Sequence, residues 1–131
     1  MTKKLWEASS SQKRNSLLYK YEHFISKKFN KKFNEKYENI LRWSTKNPGN
    51  FWSSIWDFSE IKGFKSKIKI KKSKVFYKNI FLPNSKLNFA ENLLSKTNQD
   101  KAVTFISENG FREERSWLEL NNNVSKVSKF L

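Results

Sequence analysis

Arg42-Trp43-Ser44-Thr45-Lys46-Asn47-Pro48-Gly49-Asn50-Phe51-Trp52-Ser53-Ser54-Ile55-Trp56-Asp57-Phe58 holds three of the five tryptophans in the chain, with two phenylalanines and one isoleucine among them. The residue before a proline avoids the α region, and proline itself fits the first helical position, so Asn47-Pro48 predicts a helix start. Beyond it Phe51, Trp52, Ile55 and Trp56 recur at i, i+1, i+4 and i+5, one broad apolar stripe on a 3.6-residue period. Burying such side chains stabilises a fold by roughly 1.5–3 kcal/mol each. The stripe therefore reads as the inner face of a core helix running to about Phe58 or Glu60. Gly63 is placed to end that helix or to make the next turn.

Two further helices are expected upstream. Ser9 and Gln12 have capping-box spacing, and Leu17, Leu18, Tyr21, Phe24, Ile25 and Phe29 follow at helical intervals, predicting one helix from about Ser11 to Phe29. Asn34 could cap a second helix that carries Tyr37, Ile40, Leu41 and Ser44 and ends near Trp43. His23 is the only histidine. With no second histidine or carboxylate at ligand spacing it reads as structural.

Downstream the pattern changes to short strands. From Ile61 to Ala90 there are nine lysines and no acidic residue. Within this stretch Lys67-Ile68-Lys69-Ile70-Lys71 alternates, predicting a half-buried strand with a lysine face. Phe64, Phe76, Tyr77 and Phe81 are interleaved with those lysines, so the same segment could form a groove that stacks single-stranded bases. Asn88 and Glu91 predict the start of a short helix. Ala102-Val103-Thr104-Phe105-Ile106 reads as a buried strand, and Asn109-Gly110 as a two-residue hairpin turn with Phe111 to Arg115 returning. Ser116 and Glu119 form a second capping box, opening a helix faced by Trp117, Leu120, Val124, Val127 and Leu131. A lone hairpin is marginal and this last helix carries no stop signal, so the expectation is the front end of something longer.

Composition narrows the function classes. A chain of 131 residues supports one domain with a core. The absence of cysteine removes disulfides, thiolate nucleophiles and cysteine-ligated metal sites. No apolar run reaches 18 residues, and Lys3-Lys4 leads into a polar segment without the apolar core of a secretory signal. A cytoplasmic protein without a membrane partner is the expectation. The net charge of +15 invites a nucleic-acid partner. Yet lysine outnumbers arginine 23 to 4, whereas arginine supplies the bidentate fork for phosphate. Lys, Asn, Phe, Ile and Tyr, whose codons are rich in A and T, make up 62 of the 131 residues. That bias accounts for both the lysines and the phenylalanines, and disfavours nucleic acid as the partner.

Taken together, Leu5-Trp6, Tyr37 through Trp43-Ser44, Phe51-Trp52 through Trp56-Asp57-Phe58, and Leu87-Asn88-Phe89-Ala90-Glu91-Asn92-Leu93-Leu94 resemble the N-terminal region of the acetoacetyl-CoA synthetases (acetoacetate–CoA ligases). These belong to the acetyl-CoA synthetase branch of the adenylate-forming enzymes. Ser116-Trp117-Leu118-Glu119-Leu120 is similar to a motif that opens an early helix across the superfamily. Where the family tends to show Trp-Phe-Pro-Gly, Phe81-Leu82-Pro83-Asn84 stands here. Asparagine is the mildest replacement for that glycine, because it tolerates positive φ.

The resemblance implies a mixed α/β fold: a helical lead-in (1–62) followed by the start of the α/β core (63–131), an incomplete N-terminal part of a large domain. It implies that the full-length enzyme activates acetoacetate with ATP and magnesium and transfers the acyl group to coenzyme A. The remainder of the ligase polypeptide would then be this segment's partner. The family's Ser/Thr/Gly-rich phosphate loop, ribose-binding aspartate and mobile lysine have no counterparts here. Gly49, Gly63 and Gly110 are isolated and cannot cradle a phosphate through clustered amides. No catalytic, cofactor-binding or metal-ligating residue is therefore assigned, no cofactor is expected on this segment, and the segment alone is expected to be inactive. The competing reading is a small basic nucleic-acid-binding module centred on 61–90.

Overall fold

The computed structural model describes residues 5–131; Lys3 and Lys4 lie outside the described residues. The fold is mixed α/β, with six helices and two small antiparallel strand pairs among the described residues. Its contacts divide the chain into two compact units, the division falling between Lys86 and Leu87.

The first unit is built on helices. The single helix predicted over Ser11–Phe29 is two: α1 (Ser10–Asn15) and α2 (Leu17–Phe29). The Ser9–Gln12 capping box forms as expected. The break comes at Ser16, which takes extended backbone and turns its hydroxyl to the Tyr19 N–H, starting α2 afresh. A serine that can cap competes with helix continuation, and here the cap wins. Asn34 does not cap α3 (Tyr37–Lys46). It sits at φ 57 in the preceding loop, and Lys36 precedes the helix with no side-chain cap. The Asn39 amide instead ties α3 to the loop by donating to the Phe33 carbonyl.

Helix α4 (Pro48–Phe58) begins at the proline as the sequence implies. Its apolar face packs against α2 and α3. Tyr21, Ile25, Phe33, Ile40 and Trp43 form the buried cluster, with Phe24, Phe29, Phe51, Ile55 and Phe58 against it. The rings meet edge-on or tilted, as their quadrupoles favour. Trp43 lies 5.1 Å from Phe29, 5.5 Å from Phe33 and 6.4 Å from Phe51, and Tyr21 lies 5.2 Å from Phe58. Ser54 is fully buried in this apolar setting. Its hydroxyl donates to the Phe51 carbonyl at 2.7 Å, leaving its oxygen to accept from the Tyr21 hydroxyl, also at 2.7 Å. Burial therefore carries a satisfied polar pair, and it raises the Tyr21 hydroxyl above its ordinary value despite that bond.

After α4 the chain makes a hairpin that is shorter than predicted. Only β1 (Ile70–Lys71) and β2 (Ile80–Phe81) pair, Ile70 opposite Phe81. The alternation over Lys67–Lys71 is real, but its partner is bent: Leu82 and Asn84 take φ 47 and 64 around Pro83. Those positive values end the ladder after two residues. The pairing resumes once, where Phe64 and Lys86 exchange backbone bonds. Asn84 thus takes a positive φ, which asparagine tolerates better than other residues with a side chain.

Gly49, at the start of α4, faces this hairpin. A Cβ there would lie 3.0 Å from Ile70 Cγ2 and 3.2 Å from Lys69 Cβ. Gly49→Leu is expected to destabilise the helical unit by about 1–3 kcal/mol through overpacking, read by urea unfolding. A variant as stable as the parent would mean that the hairpin does not rest on α4.

The second unit holds α5 (Phe89–Leu93), β3 (Lys101–Ile106), β4 (Arg112–Ser116) and α6 (Trp117–Phe130). Asn88 caps α5 at Glu91 N–H, and the Ser116–Glu119 box caps α6, both as predicted. The turn is not the two-residue one. Ser107 N–H bonds to Phe111 O and Gly110 N–H to Ser107 O, closing a three-residue loop with Gly110 at φ 83. The Asn109 side chain accepts from the Phe111 N–H and so holds the longer turn.

Candidate functional site

Three places in the chain concentrate polar or uncovered groups. The first is at Asp57, near the end of α4. Lys65 donates to Asp57 Oδ1 at 2.5 Å and to the Ser53 carbonyl at 2.7 Å, while Lys28 of α2 pairs with Asp57 Oδ2. Burial pushes the Asp57 carboxyl up, but the hydrogen bonds and charges of Lys28 and Lys65 outweigh it and hold the group below its ordinary value. A carboxylate kept ionised by two ammonium groups has no proton to give and is a poor base. Its evident work is to clasp α2, α4 and the chain after α4.

Because the folded pKa of Asp57 is depressed, its contribution is present above the ordinary carboxylate range and lost as pH falls through the folded value. Asp57→Asn is expected to cost about 1 kcal/mol at pH 7. Variant and parent should then converge in urea midpoint once the pH is low enough to protonate Asp57 in the folded as well as the unfolded chain. A gap that stays constant down to pH 2 would assign the cost to packing instead.

The second place is the lysine-rich hairpin. Phe76 and Tyr77 stand 86% and 82% exposed on a 3₁₀ turn (Phe76–Lys78) between β1 and β2. Phe81 packs against Trp52, with ring centroids 5.9 Å apart, and Phe64 sits at the base of the hairpin beside Lys86. None of the four interleaved rings touches another of them. The four rings thus stand at separate places along the hairpin, one against α4, two on the turn and one at the base.

The third place is the apolar surface of 87–131. No hydrophobic side chain in this unit is buried; Ser116 is its one buried residue. Strand β3, predicted to be buried, forms with Val103, Phe105 and Ile106 each about half or more exposed. Phe111 touches Phe105 at 6.2 Å but is itself 54% exposed. Val124, Val127 and Leu131 line an open depression of about 440 Å³ along α6. The elements are well specified locally: capping box, hairpin bonds, and the ion pairs of Lys101 and Arg112 with Glu114. Even so, Val103, Phe105, Ile106, Val124 and Val127 remain 40–63% exposed.

Chemistry-bearing groups are sparse. Among the described residues no three His, Asp or Glu gather closely enough to hold a metal ion. His23 stacks on Tyr19 at 4.3 Å, and its Nδ1 lies 3.0 Å from the Tyr19 carbonyl. Among the described residues no helix is long and apolar enough to cross a membrane.

Sequence comparison places this framework among known proteins. An acetoacetyl-coenzyme A synthetase of Rhizobium meliloti is 27% identical over 127 residues, 97% of this chain. The chain resembles an acetoacetyl-CoA synthetase. An acetoacetyl-CoA synthetase of Macaca fascicularis is 27% identical over 60% of the chain, and a malonamoyl-CoA synthetase of Penicillium aethiopicum 28% over 76%. The chain spans only 19%, 12% and 15% of the length of these relatives, respectively. No family model matches the chain, and no solved structure matches it. All three relatives are named as acyl-CoA synthetases, so the similarity is to CoA ligases as a class.

Proposed function

We propose that this chain is the N-terminal segment of an acetoacetate–CoA ligase and serves as a structural lead-in to that enzyme's large domain. The observation that carries the reading is the match to an acetoacetyl-CoA synthetase along 97% of the chain. The uncovered faces of β3, β4 and α6 support it, because apolar surface of that extent calls for more polypeptide to pack against. As a whole, the ligase would activate acetoacetate with ATP to an acyl-adenylate, release pyrophosphate, and pass the acyl group to the thiol of coenzyme A. Magnesium would supply charge neutralisation of the ATP phosphates. The residues present here take no part in those steps. Their role is to fold the aromatic cluster and to present β3, β4 and α6.

The test is acetoacetate-dependent exchange of pyrophosphate into ATP. The 131-residue chain is expected to show none. The same chain, read on through the coding sequence after Leu131, should show exchange and should carry a Gly-rich Ser/Thr loop. Turnover by the 131 residues alone would overturn the reading, as would a downstream frame without that loop.

A further inference from the structure

Where the chain leaves α2 and turns into α3 there is a depression of about 220 Å³ whose rim is made of cations: Lys31 and Lys32 from the loop, Arg42 and Lys46 from α3. We propose that this depression binds the phosphate group of a small anionic ligand. Its floor is Phe33 and Trp43, rings 5.5 Å apart that are buried and held in the aromatic cluster. Its walls are tied to the backbone. Asn39 donates to the Phe33 carbonyl at 2.8 Å and Asn47 to the Trp43 carbonyl at 3.1 Å, so the cations are mounted on a fixed frame. No carboxylate lines the depression.

Among the described residues none of these four cations is in an ion pair. That distinguishes them from Lys28, Lys65, Lys101, Arg112 and Arg115, which are each paired with an acid. Arg42 and Lys46 are four apart on one helix, a like-charge spacing that opposes the helix. Glu38, one turn before Arg42, could offset this but neither pairs with it nor lines the depression. The repulsion is therefore left standing in the unliganded chain, and an anion in the depression relieves it. An apolar floor beneath the charges also focuses their field, strengthening attraction to an anion relative to open surface. The buried rings offer no free face for a base, which favours recognition of the phosphate itself. The volume is far above the ~10–15 Å³ that holds a single water.

The probe is inorganic pyrophosphate, compact and multiply charged, titrated into the ¹⁵N-labelled chain at constant ionic strength with chloride as the reference anion. Saturable shifts should be confined to residues 31–33 and 39–47 and to the Trp43 indole N–H. Arg42→Gln with Lys46→Gln should weaken binding at least tenfold. Lys67→Gln with Lys72→Gln removes the same charge from the hairpin and should change it less than twofold. Arg42 and Lys46 are exposed, so the first pair should retain the parent's far-UV spectrum. Equal weakening by the two pairs, or shifts spread over every lysine-rich segment, would reduce the effect to net charge and overturn the site. Shifts of the same size with ATP as with pyrophosphate would assign the recognised group to the phosphoanhydride. Tighter binding of ATP would require a base-binding surface that the buried rings do not offer, and would overturn the proposal as stated.

Discussion

Trp43→Ala is expected to destabilise the helical unit by about 3–5 kcal/mol, measured as the loss of helical circular dichroism in urea. The side chain is 6% exposed and touches rings from α2, from the loop after it and from α4. Deleting it removes the transfer energy of an indole and leaves a cavity walled by three aromatic rings that cannot all collapse at once. A small domain has only about 5–15 kcal/mol of stability in total, so the variant should sit near the edge of folding at room temperature. Trp52→Ala is the control. Trp52 is 45% exposed and rests on Phe51 and Phe81, so its loss should cost about 1 kcal/mol. Equal costs for the two would show that the core is organised around the whole α4 stripe and not around Trp43.

That contrast also shows what could be read from residues alone. Periodicity identified α4 and its proline start correctly, because those are properties of the local chain. It also placed Trp52 in the same stripe as Phe51, Ile55 and Trp56, and could not tell which edge of a broad stripe faces the partner helices. The fully buried residue next to Phe51 and Ile55 is a serine, Ser54, whose partner Tyr21 lies 33 positions earlier. No short-range signal announces such a pair. Ser16 was legible in principle: a serine three residues before Tyr19 can cap, but helical apolar spacing on both sides hid the break. The strand predicted over Lys67–Lys71 is cut to two paired residues, since the positive φ at Leu82 and Asn84 bends the returning strand and alternation in 67–71 carries no sign of that bend.

The candidate site was less legible than the fold. Nothing in the sequence marks the partners of Asp57: Lys28 lies 29 positions before it and Lys65 eight after it, and folding alone brings them together. The cations around Trp43 were invisible as a group, because Lys31 and Arg42 are brought together only when the loop folds back on α3. The alternation of lysines and aromatics did not reveal where the rings go: Phe81 meets Trp52 of α4 while Phe76 and Tyr77 stand on the hairpin turn.

In the 131-residue chain, the backbone amides of β3, β4 and α6 are expected to exchange with solvent at least about 100-fold faster than those of α2 and α4 near Ile25 and Ser54. The physical reason is the difference in what each opening exposes. Unfolding α2 uncovers Tyr21 and Ile25, which are buried, whereas opening the hairpin uncovers strands whose apolar side chains are already largely in water. Chain entropy of about 1–2 kcal/mol per residue is then opposed in 87–131 mainly by hydrogen bonds, two capped helix starts and partial contacts. Ser116→Ala should widen the gap, because losing the α6 cap removes about 1 kcal/mol from a unit with little to spare. When the chain is extended with the polypeptide proposed to cover Val103, Phe105, Val124 and Val127, the same amides should slow toward the rates of the helical unit, with those of α2 nearly unchanged. Strong protection through Phe130 in the isolated 131 residues would mean that the hairpin and α6 are stable without a cover. The structural support for a larger ligase around them would then fall, leaving the sequence similarity to stand alone.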